Sequence, residues 1–296
     1  MEKMACRFGE VRVDSGSRCP AGIHYQPMKI TAILTAAVLS LLPQVHAGDA
    51  APKIDVSKLP QQSKMVDDVV VPVPSEIFSV LDKLGHPNWV AVQKPIKGVA
   101  KPFGDPPQQA LYLGTVIAEG FIAVEAADSA EVVNIGNSVL SLSTALGVRQ
   151  AVVKRANAIV AAANKNDWPL VRRELDGALN EVKAALIQLN SPDQAALISL
   201  GGWVRGTEAL CDVVTRDYSK DGADLLHQPA LLSHFSNKIA GMGKRAKKHP
   251  LVAKGQAALN AMSPLIGVAD GAEISEKSVK EIRDIAAGYV KEIQTK

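Results

Sequence analysis

The stretch WPLVRRELDGALNEVKAALIQLN, residues 168–190, decides the fold class. Its apolar residues recur at alternating steps of four and three, at Val171, Leu175, Ala178, Val182, Ala185 and Leu189. That spacing places them on one face of an α-helix, while charged residues fill the other faces. We therefore predict an amphipathic helix over the whole stretch, with one buried face and one solvated face.

The same helical periodicity extends along the chain on both sides. It predicts helices at 74–85, 108–127, 128–146, 148–166, 191–215, 221–227, 229–240, Pro250–Ile266 and Glu276–Gln294. The sequence SPDQ at 191–194 offers an N-cap serine, a first-turn proline and a glutamine placed for a capping box. No segment shows a convincing strand pattern.

The predicted helices form pairs along the chain, which favours antiparallel helix hairpins. The pairs are 108–127 with 128–146, 148–166 with 168–190, and 191–215 with 229–240. No residue pattern repeats at a fixed period, as a repeat array would require. We therefore predict an all-α fold, an irregular multi-helix bundle in a single domain over 74–296, with a short α-solenoid as the alternative.

Residues 28–47 have the composition of a secretory signal peptide. Lys29 supplies a positive charge, Ile30–Leu42 is almost entirely apolar or small, and Val45 and Ala47 suit a signal peptidase. We expect cleavage after Ala47 and a bacterial protein that is periplasmic or secreted. The apolar run is too short to cross a bilayer comfortably, so we expect no stable membrane anchor after cleavage.

The segments on either side of this signal lack helical periodicity. We interpret residues 1–27 as a non-native or disordered N-terminal extension with Met28 as the true start; a long leading region of the signal is the alternative. Residues 48–73 contain several prolines and are typical of an extended linker. The end of this region, MVDDVVVPVP at 65–74, could lie extended along the body, but its prolines exclude a central strand.

Charge and cysteine content narrow the classes of partner. Residues 1–47 hold five basic and three acidic residues, so their removal from a chain of net charge +3 leaves a mature protein close to neutral. Near-neutrality argues against a nucleic-acid partner and against a general attraction to anionic membranes. Only Cys211 remains after cleavage, so no internal disulfide can form, and its apolar neighbours predict a buried, inert thiol.

Two apolar helices carry internal charges. Residues 110–126, ALYLGTVIAEGFIAVEA, are apolar almost all round and include Glu119 and Glu125; residues 197–210, LISLGGWVRGTEAL, include Arg205 and Glu208. A buried carboxylate without a partner is costly, so Glu119 requires one. Arg205 is the expected partner, and Arg149 is the alternative.

This charged group allows two interpretations. Glu119 and Arg205 form either a structural ion pair that fixes helix register, or part of a polar pocket in which a ligand meets Glu119, Arg205 and Glu208. Trp203 is a candidate ligand platform beside them, although a tryptophan at such a position is more often a packing anchor. Nothing in the spacing places two carboxylates at a reaction distance.

Glycines in the same two helices point to a special backbone arrangement. They are Gly114, Gly120, Gly201, Gly202 and Gly206. Each lowers helix stability by about 1 kcal/mol relative to alanine, so we expect each to have a compensating structural role. Either they let two helix backbones approach closely, or Gly201 and Gly202 mark a kink. They do not lie between a strand and a helix start, which excludes a phosphate-binding loop.

Motifs for known chemistry are missing from the sequence. It has no H-E-x-x-H, no histidine and cysteine cluster and no G-x-S-x-G, so we expect neither a metal, nor a cofactor, nor serine catalysis. The hydroxyl residues at Ser138, Ser141, Ser143 and Thr144 are expected to pack and to bond back to their own helix. The basic cluster GKRAKKHP, 243–250, is either a solvated loop between helices or a docking patch for an anionic surface.

These features predict an exported, soluble, non-enzymatic binding or interaction module with an unknown protein or small-molecule partner. The alternative is a helical enzyme or small-ligand sensor that uses Glu119, Arg205 and Glu208.

Overall fold

Helices form almost all the regular structure of the described residues, which in this computed structural model are 64–66, 69–71, 87–269 and 272–295. In chain order they are α1 (Pro106–Glu125), α2 (Ser129–Ala145), α3 (Arg149–Ala163), α4 (Trp168–Gln188), α5 (Pro192–Arg216), α6 (Lys220–Asp224), α7 (Pro229–Gly241), α8 (Lys244–Lys247), α9 (Pro250–Ile266) and α10 (Glu276–Gln294). A 3₁₀ turn, Trp89–Ala91, precedes them. The described residues belong to one compact unit, Pro52–Lys296, and the all-α prediction is confirmed.

Helix α1 lies at the centre of the bundle. Every side chain from Leu113 to Val124 is buried, as expected of a helix that is apolar all round. It packs against α2, α4, α5 and α10, and its most extensive contact is with α5. Since α1 and α5 are far apart in sequence, their contact distinguishes a bundle from a solenoid, in which each unit meets only its neighbours.

The predicted pairing of consecutive helices is correct for α1 with α2 and for α3 with α4. For α5 the predicted partner, α7, is only a minor neighbour. Helix α5 contacts α1 and α10 far more extensively than α7, the partner expected from the order of the pairs. The reason is that the buried face of α5 is too wide for one short neighbour, since residues from Ala195 to Val214 are buried along it.

One turn geometry links the first five helices. Each connection has three or four residues and contains one residue with a left-handed φ, at Ala127, Gly147, Asn166 and Asn190. The next amide then bonds to a carbonyl five residues earlier, as from Asp128 to Ala123 and from Ser191 to Leu186. This is the Schellman motif, which closes one helix and begins the next within a few residues.

The glycines of α1 and α5 lie where these helices cross. A Cβ atom on Gly114 would lie 2.0 Å from the Ile198 carbonyl oxygen, and one on Gly201 would lie 2.1 Å from that of Leu111. Gly114 also faces Gly202, so the contact is between backbones. Helix α5 is one helix through this point rather than two shorter ones, and the short distances at the crossing support the close-approach interpretation.

Several details of the helix ends differ from the sequence expectations. The buried face of α4 continues from Val182 to Leu186, and the helix ends at Gln188, so Leu189 is exposed rather than inward. A step of four residues from Val182 keeps Leu186 closer to the core than Ala185. Ser191 precedes α5 as predicted, but its side chain makes no capping hydrogen bond, so the expected capping box is absent there.

A short hairpin lies within the region expected to be linker. Strands β1 (Lys64–Val66) and β2 (Val69–Val71) pair antiparallel, with Val66 opposite Val69. The expectation of no strand is therefore wrong at this place, where four β-branched valines favour extended structure and the prolines follow the second strand. Strand β2 lies beside α7.

Three sequence predictions lie outside the described residues. They are the helix at 74–85, the signal peptide at 28–47 and the extension at 1–27. Among the helices that the structure describes, none combines the length and the apolar character needed to cross a bilayer.

Candidate functional site

An irregular segment covers the predicted charged group. We call residues 92–103 the strap; it follows the 3₁₀ turn and leads to the start of α1. Since it forms no regular secondary structure, its backbone groups need partners elsewhere. Helix side chains supply them, and the amides of Lys94, Ile96, Ala100 and Phe103 donate to Glu119, Glu131, Ser138 and Gln109 respectively.

Helix α2 holds the strap with a polar stripe. Glu131, Asn134, Ser138 and Ser141 follow each other at steps of three, four and three, so they lie on one face. Glu131 and Asn134 bind the amide and carbonyl of Ile96, and Ser138 and Ser141 bind those of Ala100. The strap therefore runs along α2 in the same direction as the helix.

This stripe corrects the expectation for the hydroxyl residues. Ser138 and Ser141 bond to the strap rather than to their own helix, and only Thr144 bonds back, to Leu140. Their helical spacing, next to a proline- and glycine-rich segment, is the sequence signal that would have located the contact. Burial raises the pKa of Glu131 above its ordinary value, although its hydrogen bonds from Ile96 and Asn134 oppose that shift.

Glu119 and Arg205 form an ion pair in the interior. Arg205 is only 1% exposed, and its Nε and Nη2 atoms lie 2.9 and 2.8 Å from Glu119 Oε2. Nη2 also donates to the Val92 carbonyl at 3.0 Å. Glu119 Oε1 accepts from the Lys94 amide. Arg149, the alternative partner, is exposed at the start of α3.

Glu208 joins this pair through Lys94. The Lys94 ammonium binds Glu208 Oε1, and Glu208 Oε2 lies 3.5 Å from Arg205 Nη1. Neither Oε2 nor Nη1 has a hydrogen-bond partner. Asp212 follows one turn later, and burial together with the Glu208 charge raises its pKa, while Lys94 and Arg205 lower it. We call Lys94, Glu119, Arg205, Glu208 and Asp212 the charged cluster.

The chemistry open to the charged cluster is limited by its own contacts. Both oxygens of Glu119 and two nitrogens of Arg205 are committed to each other and to the strap. The half-exposed Lys94 side chain covers Glu208 on the outer side. A general acid or base must reach its substrate, and the strap separates these carboxylates from solvent. A ligand role for these residues stays a prediction.

Trp203 lies away from the charged cluster. Its indole nitrogen donates to Gln228 Oε1 at 3.0 Å, and its ring packs 5.3 Å from that of Phe235 in α7. Two positions along a helix point in nearly opposite directions, so Trp203 and Arg205 face different sides of α5. The structure thus brings together three of the four candidate residues, and it places Trp203 as a packing anchor.

The other acid of α1 has its own partner. Arg172 of α4 binds both oxygens of Glu125, at 2.8 and 2.7 Å. This geometry is bidentate, and it joins the C-terminal end of α1 to α4. The contact does not involve the charged cluster.

A surface groove lies between α4, α5 and α7, with a volume of about 760 Å³. We call it the groove. It is lined by Lys183 and Ile187 from α4, Asp193 and Ala196 from α5, and Phe235 and Lys238 from α7, among others. Ile187 is 57% exposed at its edge. The residues of the charged cluster do not line it.

A smaller cleft of about 380 Å³ adjoins the groove at Asp193. Arg245 and two carboxylates, Asp105 and Asp193, line it together with His249. His249 Nε2 lies 2.9 Å from Asp105 Oδ2, and Asp193 accepts from the Gly243 amide. Both carboxylates are therefore already engaged.

Within the described ranges, no group of three or more histidine, cysteine, aspartate or glutamate residues is placed to hold a metal ion. Comparison with protein-family models, with curated proteins and with solved structures found no match.

Proposed function

We propose that this protein is an exported, soluble, non-enzymatic module that binds a partner protein through the groove. The main support for this proposal is the groove itself, an open apolar surface with a large aliphatic side chain exposed at its edge. A concave, mostly apolar surface with a few polar groups around it is the usual form of a binding site. The signal peptide predicted at 28–47 supports a partner in the periplasm or outside the cell.

The contrast with the charged cluster supports a binding role over a catalytic one. Glu119 and Arg205 are buried and bound to the strap, and the Lys94 ammonium binds the buried Glu208. The groove, in contrast, lies on the surface and consists mainly of carbon atoms and a few charges at its edges. Such a surface can hold a partner segment without rearrangement of the core.

The lining of the groove indicates the chemistry of its occupant. Phe235 and Ala196 favour apolar side chains there. The occupant we propose is an extended segment of a partner protein with apolar residues.

Site-specific photo-crosslinking tests this proposal in the cell that makes the protein. Benzoylphenylalanine is placed at Ile187, which lines the groove, or at Leu189, which is equally exposed at 57% but does not line it. We expect the probe at 187 to capture one partner protein, at a segment with apolar residues, and the probe at 189 to capture little.

Other outcomes would overturn the proposal. These are equal capture at both positions, no capture at all, or capture only of a second copy or of the chain's own residues.

The alternative function, a helical enzyme or small-ligand sensor, has one observation in its favour. Arg205 Nη1 and Glu208 Oε2 lack hydrogen-bond partners although they are buried. A small polar molecule could satisfy both atoms if the strap opened. Native mass spectrometry of the processed protein recovered from the cell envelope would detect such a molecule directly, and a bare protein mass would count against this alternative.

A further inference from the structure

The short helix α8 and its flanks form a strongly basic surface. We call residues 243–249 the basic turn. Its four cationic side chains are Lys244, Arg245, Lys247 and Lys248, and all four are exposed. They lie within five consecutive positions, so they form one local patch although the mature protein is close to neutral.

The cations of the basic turn differ from other surface cations in that most of them lack a carboxylate partner. Arg155, Lys254 and Lys280 each lie within 2.9 Å of a carboxylate. Within the described part of the chain, Lys244, Arg245 and Lys248 have no such partner. Lys247 donates to the Ala240 carbonyl, which does not neutralise its charge. The positive potential of the turn is therefore left for an external anion.

The adjoining cleft does not provide a phosphate site. Asp105 and Asp193 line it, and their charges would repel an anion that entered beside Arg245. The attractive face is the outward one, where the cationic ends meet solvent. An exposed patch of several cations recognises charge density over a surface better than it recognises one small anion.

We propose that the basic turn docks the protein on an anionic phospholipid surface. Each lysine or arginine near such a surface strengthens binding about fivefold, so four together give measurable but reversible attachment. The exposed large hydrophobic residues among those described are Val90, Val99, Ile187 and Leu189, and none belongs to the turn. The contact is therefore electrostatic, without insertion of apolar side chains.

The purely charged character of the basic turn favours a lipid surface over an acidic protein as its partner. A specific protein interface has an apolar centre and a polar rim, and the basic turn offers only charges. The groove, in contrast, has the apolar character that a protein partner requires. This inference is independent of the groove's proposed role.

Vesicle co-sedimentation of the processed protein tests the inference. The probes are vesicles of phosphatidylcholine with or without phosphatidylglycerol. The variant Lys244→Glu/Lys248→Glu is compared with Lys254→Glu/Lys280→Glu, which changes the charge equally at positions already paired with Glu292 and Glu276. All four positions are exposed, and circular dichroism verifies that both variants keep their helices.

We expect the wild-type protein and the Lys254/Lys280 variant to bind only vesicles with phosphatidylglycerol, and high salt to release both. The Lys244/Lys248 variant should bind at least about tenfold more weakly. No binding by the wild-type protein, equal binding to neutral vesicles, or an equal loss in both variants would overturn the inference. Binding to an added acidic protein in preference to the vesicles would also overturn it.

Discussion

Arg205 is the largest fully buried side chain in the described structure. Burial of its positive charge is unfavourable without partners. Three groups compensate it: the Glu119 carboxylate, the Val92 carbonyl and the nearby Glu208. A buried ion pair of this kind gives little net stability, because desolvation offsets its attraction. Its effect is to fix how the strap lies over α1 and α5.

Replacement of Arg205 by leucine should strand the Glu119 charge and lower the free energy of unfolding by about 3–5 kcal/mol. Urea denaturation followed by circular dichroism measures the change. The double variant Arg205→Leu/Glu119→Leu removes both charges, and we expect it to recover part of the loss. A double variant that loses the sum of the two single effects would contradict direct coupling between the pair.

At the scale of the element, the crossing of α1 and α5 depends on two missing side chains. Gly114 and Gly201 each present bare backbone to a carbonyl of the other helix. Such close approach permits weak Cα–H···O contacts and fills the space between the helices without side chains. The contact therefore requires glycine at both positions, because no residue with a Cβ atom fits there without separating the helices.

Gly201→Ala should destabilise the protein by about 3 kcal/mol or more, because overpacking must move a backbone rather than a side chain. Gly206→Ala is the matched control on the same helix, since a Cβ there would meet nothing within 4 Å. We expect that control to be stabilised by up to about 1 kcal/mol through helix propensity. Thermal and urea unfolding compare the two, and similar effects at both sites would refute the close-crossing argument.

The helices could be predicted from the sequence, because burial on one face leaves a periodic trace such as that of Val171, Leu175 and Ala178. The partner of Glu119 could also be predicted, since few cations interrupt apolar helices. The strap was not predicted, because its contacts use backbone amides that are the same at every residue. The helical spacing of Glu131, Asn134, Ser138 and Ser141 is the one sequence signal that points to it. The two strands could not be predicted from periodicity, because three residues are too few to show a period.

At the scale of the whole molecule, the described helices share one hydrophobic core that extends from Trp89 to Ile293. Cys211 lies inside it and is fully buried. Burial raises the pKa of its thiol far above the ordinary value, so the reactive thiolate hardly forms in the folded state. This residue can therefore report on the integrity of the core.

In a protein that comprises residues 48–296, Cys211 should react with a thiol reagent only when the core unfolds. We expect the urea midpoint of its modification to coincide with that of helix loss measured by circular dichroism, as for one cooperative unit. A cysteine introduced at Thr144, which is exposed, should react at once without urea. Rapid modification of Cys211 in the native protein would show that the core opens locally.

The contact between α1 and α5 also has a consequence for the order of folding. Glu119 and Arg205 are 86 residues apart, so their contact closes a long loop and is slow to form. Helices α2, α3 and α4 can form hairpins earlier from local contacts. During synthesis, α1 emerges before α5 and stays without its main partner until α5 follows. We expect this nascent intermediate, with the mostly apolar helix α1 uncovered, to be the form that chaperones bind and that aggregates most readily.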